Sequence, residues 1–369
     1  MRRVVLHNID TAGPGGAESV FATLAARLDR ERFEPLAVIP HEGFLADRLR
    51  SYDIEPEFAP AKGGFNIPYL RALLRLAKTR RAALIQSHLL GASVYGAMAG
   101  RLLGIPSVAI FHGATDLRRP GALTSIKRGA LLGRRRAIVA VARGVASELV
   151  AWGLPENSIR VIYNGTDVDR FTPGDGGARR AELGIEPGIV HVGCVGNLRK
   201  PKAYDVLMRA AARVAAGNRA VRFSIIGEGD AAATRALTGL RDSLGLTHTV
   251  RLLGFRPADP DMFRSFDIFV SSSHSEGLPL SFIEAMSAAL PIVATRSGGS
   301  DEVVSDGVQG LLVPAGDHDA LGDAILRAAA DAALRRALGE QGRAHAVGTF
   351  SLGAMLRSYE SLYGELLAP

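Results

Sequence analysis

The sequence predicts an α/β protein made of two doubly wound domains, each built around a parallel sheet. Its 369 residues are more than a domain with a single hydrophobic core usually contains. Short apolar runs rich in β-branched residues alternate with helical patterns from end to end, as in parallel α/β folds. The alternation restarts after a cluster of Gly, Pro and Asp at residues 164–177. We therefore expect two similar domains facing a central cleft, where the carboxyl ends of the strands bind a ligand.

The first domain is expected to cover residues 1–171. Five short runs in it are apolar enough to be strands buried on both faces of a parallel sheet. They read "VVLHNI", "FEPLAVI", "AALIQSH", "PSVAIFH" and "AIVAVA". Amphipathic helical patterns such as "AESVFATLAARL" and "PYLRALLRLAKTRR" lie between them.

The second domain is expected to cover residues 172–349 and repeats the same alternation. Its predicted strands are "IVHVGCVG", "VRFSIIGEG", "TVRLLGF", "DIFVSS", "PIVAT" and "GLLVP". Residues 350–369 contain "SLGAMLRSYESLYGELL", whose apolar spacing predicts one last amphipathic helix.

The composition is that of a folded protein. With 47% hydrophobic and 22% charged residues, the chain lies far from the disordered range. No apolar run is long enough to predict a membrane-spanning helix. The apolar run at the start is interrupted by His7 and Asn8, which favours a first strand over a signal peptide. The single Cys194 excludes an internal disulfide, and we expect the protein in the cytoplasm.

The positive charge lies in the first half of the chain. Residues 1–170 contain 24 Lys and Arg against 15 Asp and Glu, and residues 171–369 contain 20 against 22. An anionic partner would therefore meet the first domain. No basic patch is interleaved with aromatic residues, so a nucleic-acid partner is not expected.

The pattern "PYLRALLRLAKTRR" sets three basic residues, Arg71, Arg75 and Lys78, on one helix face. The ordinary interpretation is a charged face turned to water. The alternative is docking on an anionic membrane surface at the inner face of the cell membrane. Further basic residues would help this docking: Arg118, Arg119, Lys127, Arg128 and Arg134–Arg136.

Two glutamates flank an apolar stretch in "HSEGLPLSFIEAM". Pro279 suits the first position of a helix, which would leave the N–H groups of Leu280, Ser281 and Phe282 as an anion site fitting phosphate. Glu276 then lies in the preceding loop and Glu284 on the second turn. Carboxylates accept hydrogen bonds from hydroxyls, so the pattern fits a diphosphate flanked by two polyols, as in a nucleotide-sugar. The alternative is that a glutamate here only complements the helix dipole.

Seven motifs in order give the chain a resemblance to a known family. They are "GPGGAE", "QSHLLGASVYGAMAGRLLGIPSVAIFHG", "VIYNGTDVDRFTP", "VGNLRKPKAYDVL", "IIGEGD", "VRLLGF" and "SSSHSEGLPLSFIEAMSAALPIVATRSGG". Together they cover nearly the whole chain, which resembles the retaining GT-B glycosyltransferases of the large family 4 (glycosyl transferases group 1). The resemblance implies two Rossmann-like domains and a last helix that crosses back to the first of them.

The resemblance also implies roles for individual residues. Glu284 matches the acid that binds the ribose hydroxyls, and Glu276 matches the acid that contacts the donor sugar. Lys202 matches the lysine that neutralises the diphosphate, and His112 a histidine near the donor sugar and the acceptor. Further matches are backbone positions near sugar and phosphate and a flexible glycine loop: Gly277, Leu278, Pro279 and Leu280, and Gly15 and Gly16.

The chain departs from the family at two positions. Asn197 stands where the family usually has an arginine that supports the leaving diphosphate, and Ala203 where it has a glycine. We hypothesise that Arg199 takes over the contact with the diphosphate. His88 ends a predicted strand, and it is either a group on the acceptor side or a hydrogen-bonded structural histidine.

The expected function is retaining transfer of a sugar from a nucleotide-sugar to a hydroxyl of a saccharide or lipid-linked glycan. The product would belong to a cell-surface polysaccharide or a glycolipid. The resemblance favours a UDP donor over a GDP donor, and no motif calls for a metal or another cofactor. Alternatives are an epimerase or phosphorylase on the same scaffold, or a non-catalytic nucleotide-sugar-binding subunit, which Asn197 favours. A dehydrogenase is not expected, because "GPGGAES" is not G-x-G-x-x-G.

Overall fold

The computed structural model describes residues 2–61, 66–113, 117, 123–256 and 259–368. The chain divides into two compact units. The first unit comprises Met1–Asn164 and Gly353–Pro369, and the second comprises Gly165–Leu352. The division thus falls after Asn164, whereas the sequence pattern indicated a boundary after residue 171.

The first unit contains a parallel seven-stranded sheet. Its strands are β1 (Arg3–Ile9), β2 (Phe33–Ile39), β3 (Glu57–Phe58), β4 (Ala82–His88), β5 (Ser107–Phe111), β6 (Arg136–Ala140) and β7 (Ile159–Val161). They lie side by side in the order β3-β2-β1-β4-β5-β6-β7. Neither β3 nor β7 was predicted from the sequence, because runs of two or three residues are too short to show a period.

Six helices lie between these strands in the described part of the first unit. They are α1 (Gly16–Arg27), α2 (Phe44–Arg50), α3 (Ile67–Thr79), α4 (Leu90–Leu103), α5 (Thr124–Leu131) and α6 (Arg143–Ala151). Helix α3 begins where the Asn66 side chain accepts a hydrogen bond from the N–H of Tyr69. It buries Leu73 and exposes Arg71, Arg75 and Lys78, as an amphipathic helix does.

The second unit contains a parallel six-stranded sheet. Its strands are β8 (Val190–Val195), β9 (Val221–Ile226), β10 (Val250–Leu252), β11 (Ile268–Ser271), β12 (Ile292–Thr295) and β13 (Gly310–Val313). Their order is β10-β9-β8-β11-β12-β13. Central strand residues such as Val192, Ile268 and Val293 are fully buried, which explains why the strands appear in the sequence as continuous apolar runs.

The helices of the second unit are α7 (Gly177–Glu182), α8 (Tyr204–Gly217), α9 (Ala231–Ser243), α10 (Pro260–Arg264), α11 (Leu280–Ser287), α12 (Gly299–Val303), α13 (His318–Ala330) and α14 (Ala332–Thr349). Four of them begin at an aspartate whose carboxylate accepts a backbone N–H of the first turn. These caps are Asp230 for α9, Asp259 for α10, Asp317 for α13 and Asp331 for α14.

The last helix, α15 (Leu352–Leu367), packs on the first unit. Its Glu360 accepts the backbone N–H of Asp29 at 3.0 Å, and its Tyr363 ring meets the Phe33 ring edge-on at 5.4 Å. Glu365 pairs with Arg160 at 2.6 Å. Within the part of the chain that the structure describes, no helix is both long and apolar enough to cross a membrane.

Both sheets reverse their strand order beside the first strand. The reversal lies between β1 and β4 in the first unit and between β8 and β11 in the second. Because crossovers on the two sides of such a point leave in opposite directions, the loops there separate and leave a crevice at the carboxyl ends. The loops that follow these four strands contain most of the candidate site residues.

Two helical glycines of the second unit give a matched test of packing. A Cβ at Gly339 on α14 would overlap the carbonyl oxygen of Ala289, whereas a Cβ at Gly239 on α9 meets no atom within 4 Å. We expect Gly339→Ala to destabilise the protein by about 1–3 kcal/mol through overpacking. Gly239→Ala should stabilise it by about 0.5–1 kcal/mol through helix propensity.

Thermal or urea unfolding of both variants measures these free energies of unfolding. Equal stabilisation by the two alanines would contradict the close backbone contact between α14 and Ala289.

Candidate functional site

An ion pair between Lys202 and Glu276 forms the centre of the candidate site in the second unit. Lys202 Nζ donates to Glu276 Oε1 at 2.6 Å. Lys202 follows β8 and Glu276 follows β11, the two strands on either side of the reversal point. The side chains are 26% and 11% exposed, so a ligand can still reach both groups.

Two serines that follow β11 support this pair. Ser273 Oγ donates to Glu276 Oε1 at 2.5 Å, and Ser272 Oγ donates to the carbonyl oxygen of Lys202 at 2.9 Å. The backbone N–H of His274 donates to the carbonyl of Pro201 at 2.7 Å. Neither Ser272 nor Ser273 was predicted as a site residue; the signal for them was a run of hydroxyl residues at the end of the predicted strand "DIFVSS" and directly after it.

Backbone hydrogen bonds to a second loop, residues 297–299, hold the loop that contains Glu276 in place. The N–H of Glu276 donates to the carbonyl of Ser297 at 2.9 Å, and the N–H of Gly299 donates to the carbonyl of Glu276 at 3.1 Å. Gly298 has φ 79°, and a Cβ at Gly299 would overlap the carbonyl of Gly277. Both glycines are therefore required for this close backbone approach.

Helix α11 begins one residue later than predicted. Its first residue is Leu280, and Pro279 precedes it with an extended backbone at ψ 101°. The N–H of Phe282 donates to the carbonyl of Pro279 at 3.0 Å, so it is not free for an anion as expected. Glu284 is half-buried on the second turn, and Gly277 and Leu278 lie in the loop beside Glu276.

The residues that depart from the family motif lie around a short 3-10 helix, Lys200–Lys202. Asn197 is half-buried and Arg199 is exposed immediately before this helix. Ala203 has φ 45° and ψ 50°, the left-handed conformation that glycine adopts without a steric cost. The alanine Cβ costs roughly 1–2 kcal/mol in this conformation, which strains the residue next to Lys202.

The glycine loop of the first unit leads into α1. Gly15 caps the helix with an extended backbone, and Gly16 is its first residue. A Cβ at Gly15 would overlap the carboxylate of Glu18, whereas a Cβ at Gly16 would meet nothing within 4 Å. An anionic ligand at this terminus would be repelled by Glu18 on the Gly15 side, and Gly16 offers the open side.

Two histidines of the first unit lie at neighbouring strand ends. His88 ends β4 and His112 follows β5, and His88 Nδ1 lies 2.9 Å from His112 Nε2. Burial lowers the pKa of His112 to about 3. Burial, and then the charges of His112 and His7, hold the pKa of His88 well below its usual range. Both rings are therefore neutral at physiological pH.

His88 does not reach a ligand, contrary to the interpretation that placed it on the acceptor side. Its side chain is 0% exposed. Both ring nitrogens are bonded, one to His112 and the other to Gln86 Nε2 at 3.0 Å. His88 is therefore a hydrogen-bonded structural histidine, the alternative given above, and it supports His112.

No group of three or more His, Cys, Asp or Glu side chains among the described residues is arranged to hold a metal ion.

Comparison with known proteins identifies the family. Residues 14–170 match the model described as Glycosyltransferase Family 4, and residues 190–331 match that of Glycosyl transferases group 1. The D-inositol 3-phosphate glycosyltransferase of Segniliparus rotundus is 30% identical over 78% of this chain and 68% of its own length. That of Corynebacterium jeikeium is 36% identical over 57% of this chain and 52% of its own length. The chain thus spans about half the length of several relatives it matches.

Solved structures agree on the fold. HepE of Anabaena, crystallised in complex with UDP and glucose, superposes with a TM-score of 0.88 at 22% identity, covering 99% of this chain and 100% of that one. The sucrose-phosphate synthase of Thermosynechococcus elongatus superposes with a TM-score of 0.82 at 20% identity, covering 99% of both chains. The chain therefore belongs to the family 4 glycosyltransferases, glycosyl transferases group 1, and has their two-domain GT-B fold.

Proposed function

We propose that this protein transfers a sugar, with retention of anomeric configuration, from a nucleotide-diphosphate sugar to a hydroxyl acceptor. The observation that carries the proposal is the Lys202–Glu276 pair, supported by Ser273, beside the strand reversal of the second unit. A cation for phosphate and a carboxylate for sugar hydroxyls lie together there. HepE of Anabaena, which binds UDP and glucose, supports a UDP donor.

The charge on Lys202 suits the bond that must break. When the anomeric C–O bond breaks, the leaving nucleotide diphosphate gains negative charge. An ammonium group already held in place stabilises that growing charge, and such stabilisation accelerates a reaction. No step in this account needs a metal, and we propose that the donor is the only co-substrate besides the acceptor.

The carboxylate of Glu276 is suited to orienting the sugar. Its Oε1 already accepts from Lys202 and Ser273. Among the described residues no hydrogen bond reaches Oε2, which leaves that oxygen for sugar hydroxyls. A carboxylate neutralised by a lysine and a serine is a weak nucleophile, which favours front-face attack by the acceptor over a covalent glycosyl-enzyme. Glu284 would accept hydrogen bonds from the ribose hydroxyls at the nucleotide end of the donor.

The acceptor is a hydroxyl compound, and two chemical classes suit the chain. The first is a saccharide or lipid-linked glycan used for cell-surface polysaccharide or glycolipid. The second is a phosphorylated polyol, which the name of the relatives, D-inositol 3-phosphate glycosyltransferase, suggests as an acceptor. The excess of basic residues in the first 170 positions favours an anionic acceptor of either class.

One assay tests the proposed reaction. The protein is incubated with UDP- and GDP-sugars, with and without saccharide, glycolipid and inositol phosphate acceptors, and nucleotide release is measured. Release that requires an acceptor supports transfer. Release without one indicates hydrolysis or epimerase chemistry, and a thermal shift with nucleotide but no release indicates a binding subunit.

Alanine substitutions at the two glutamates should have different effects, one on kcat and the other on nucleotide affinity. Glu276→Ala removes the group that orients the sugar, and we expect kcat to fall about 100-fold or more while UDP binding persists. Glu284→Ala removes hydrogen bonds to the nucleotide, so the Kd for UDP should rise about tenfold or more. Titration calorimetry and initial rates separate the two effects, and loss of UDP binding in Glu276→Ala would contradict the assignment.

Arg199 should matter for transfer if it replaces the arginine that the family has at Asn197. Arg199→Ala then lowers kcat about tenfold, because a cation near the leaving diphosphate is lost. Arg209→Ala removes the same charge from the exposed face of α8 and is the matched control. Unchanged transfer kinetics in Arg199→Ala would overturn the hypothesis.

Membrane docking of the first unit is a second proposal, supported by an apolar and basic patch on and after α5. Leu123 and Ile126 are 50% and 66% exposed, and Arg134 and Arg135 nearby are exposed. Two other basic residues serve the fold: Arg128 donates to the carbonyl of Trp152, and Arg136 to that of Leu132. Arg118 and Arg119 lie outside the described residues.

This docking predicts binding to anionic liposomes that weakens as salt rises. Ile126→Asp should lower liposome binding about tenfold, because it adds a charge to the apolar patch. Val347→Asp, on α14, is the control, since Val347 is an exposed apolar residue of the second unit. Co-sedimentation measures binding, and its absence at low salt would rule out the docking.

A further inference from the structure

A buried chain of polar side chains runs through the first unit and ends at His112. We call Tyr363, Gln86, His88 and His112 the polar chain. Tyr363 comes from α15, Gln86 and His88 from β4, and His112 from the loop after β5. Tyr363, Gln86 and His88 are each 0% exposed, so their hydrogen-bonding groups have only protein partners.

The hydrogen bonds of the polar chain are continuous. The Tyr363 hydroxyl bonds to Gln86 Oε1. Gln86 Nε2 lies 3.0 Å from His88 Nε2 and 3.0 Å from Nδ1 of His7, a buried histidine on β1. His88 Nδ1 lies 2.9 Å from His112 Nε2, and the ring centres are 5.1 Å apart with an interplanar angle of 16°. The nitrogens are much closer than the ring centres, so the two rings meet edge to edge.

The direction of these bonds follows from counting donors. With Gln86 Nε2 towards the histidines, both amide hydrogens have acceptors, and the Tyr363 hydroxyl donates to Oε1. If the amide were flipped, the hydroxyl hydrogen and one amide hydrogen would have no acceptor among the described residues. Buried unpaired donors are costly, so the first orientation prevails.

This orientation decides where each histidine holds its proton. Because Gln86 donates to His88 Nε2, that nitrogen has no hydrogen, and a neutral His88 holds its proton on Nδ1. His88 Nδ1–H then donates to His112 Nε2. His112, also neutral, must hold its proton on Nδ1. His112 Nδ1 is buried and has no hydrogen-bond partner among the described residues.

We propose that Gln86, anchored by Tyr363, and His88 are positioning residues that fix His112 as an Nδ1–H hydrogen-bond donor. Because this buried nitrogen has no acceptor among the described residues, a substrate oxygen that reaches it would supply the missing acceptor. The role of His112 in the reaction rests on the proposed transfer function. The position of its proton on Nδ1 does not depend on that function. In this tautomer His112 stabilises an oxygen of the donor sugar or the acceptor and does not remove a proton from the acceptor hydroxyl. A general base would need the opposite tautomer.

The backbone at this point also indicates a constrained arrangement. Leu89, the residue after His88, has φ 70° and ψ 162°, a region that residues other than glycine rarely occupy. Its N–H donates to the carbonyl of Ile110 at 3.0 Å, which connects the end of β4 to β5 just before His112. The fold therefore accepts local strain where the two histidine rings are brought into register.

Nitrogen NMR of the protein labelled with ¹⁵N-histidine tests the proposal without substrate. In each ring it distinguishes the protonated from the unprotonated nitrogen, and His112→Gln identifies the His112 signals. We expect His112 protonated at Nδ1 and bare at Nε2. A proton on Nε2 in the native protein overturns the proposal, whether or not the protein transfers sugar.

Gln86→Glu replaces the side-chain amide by a carboxylate of almost the same shape. This change reverses the direction of the hydrogen bonds between residue 86, His88 and His112. A carboxylate accepts from His7 and His88 and still accepts from Tyr363, so the proton of His112 should move from Nδ1 to Nε2. We expect kcat to fall at least about tenfold while the Kd for UDP stays within about twofold. A tautomer that does not change overturns the polar chain, and a changed tautomer with unchanged kcat overturns its role in the reaction.

Tyr359→Phe is the matched control. Tyr359 lies on the same helix, is fully buried, and its hydroxyl has no partner among the described residues. Its removal should leave the His112 tautomer and kcat unchanged. A tautomer change in this variant would indicate general disturbance of α15 and would overturn the specific role of Gln86.

Discussion

The pairing of the first strand with the fourth in each sheet is the constraint on which both candidate sites depend. In the first unit Ile9 of β1 lies opposite His88 of β4, and in the second Gly193 of β8 lies opposite Phe269 of β11. The second pairing tolerates no side chain at Gly193, where a Cβ would overlap the Phe266 ring. Because parallel strands end at the same edge, this pairing brings together loops that are far apart in the chain.

The two units use their buried polar groups differently. The second unit keeps opposite charges together, with serine hydroxyls and backbone carbonyls holding Lys202 and Glu276 in place. The first unit keeps three histidines neutral, His7, His88 and His112, because burial lowers the pKa of each ring. A charged pair thus lies at the strand ends of the second unit, and neutral imidazoles lie at those of the first.

The sequence predicted the strands well and the polar support poorly. The bounds of β2 and β4 match the predicted runs to the residue, and each strand contains four consecutive apolar residues. Pro279 was placed inside α11, but its extended backbone makes it the residue before the helix. Gln86 and Tyr363 escaped notice, because partners 277 positions apart share no local pattern. The strain at Ala203 could be suspected only from the glycine that the resemblance led us to expect there.

The docking of α15 on the first unit affects the order in which the protein matures. The ribosome completes residues 1–164 first, yet Tyr363 emerges only after the whole second unit, residues 165–352, has been made. At synthesis rates of about 5–20 residues per second, that delay is roughly 10–40 s. Throughout it the first unit lacks the hydroxyl that anchors Gln86, and the apolar surface around Phe33 lacks its cover. The nascent first unit is thus unfinished for the time that the ribosome takes to synthesise the second unit.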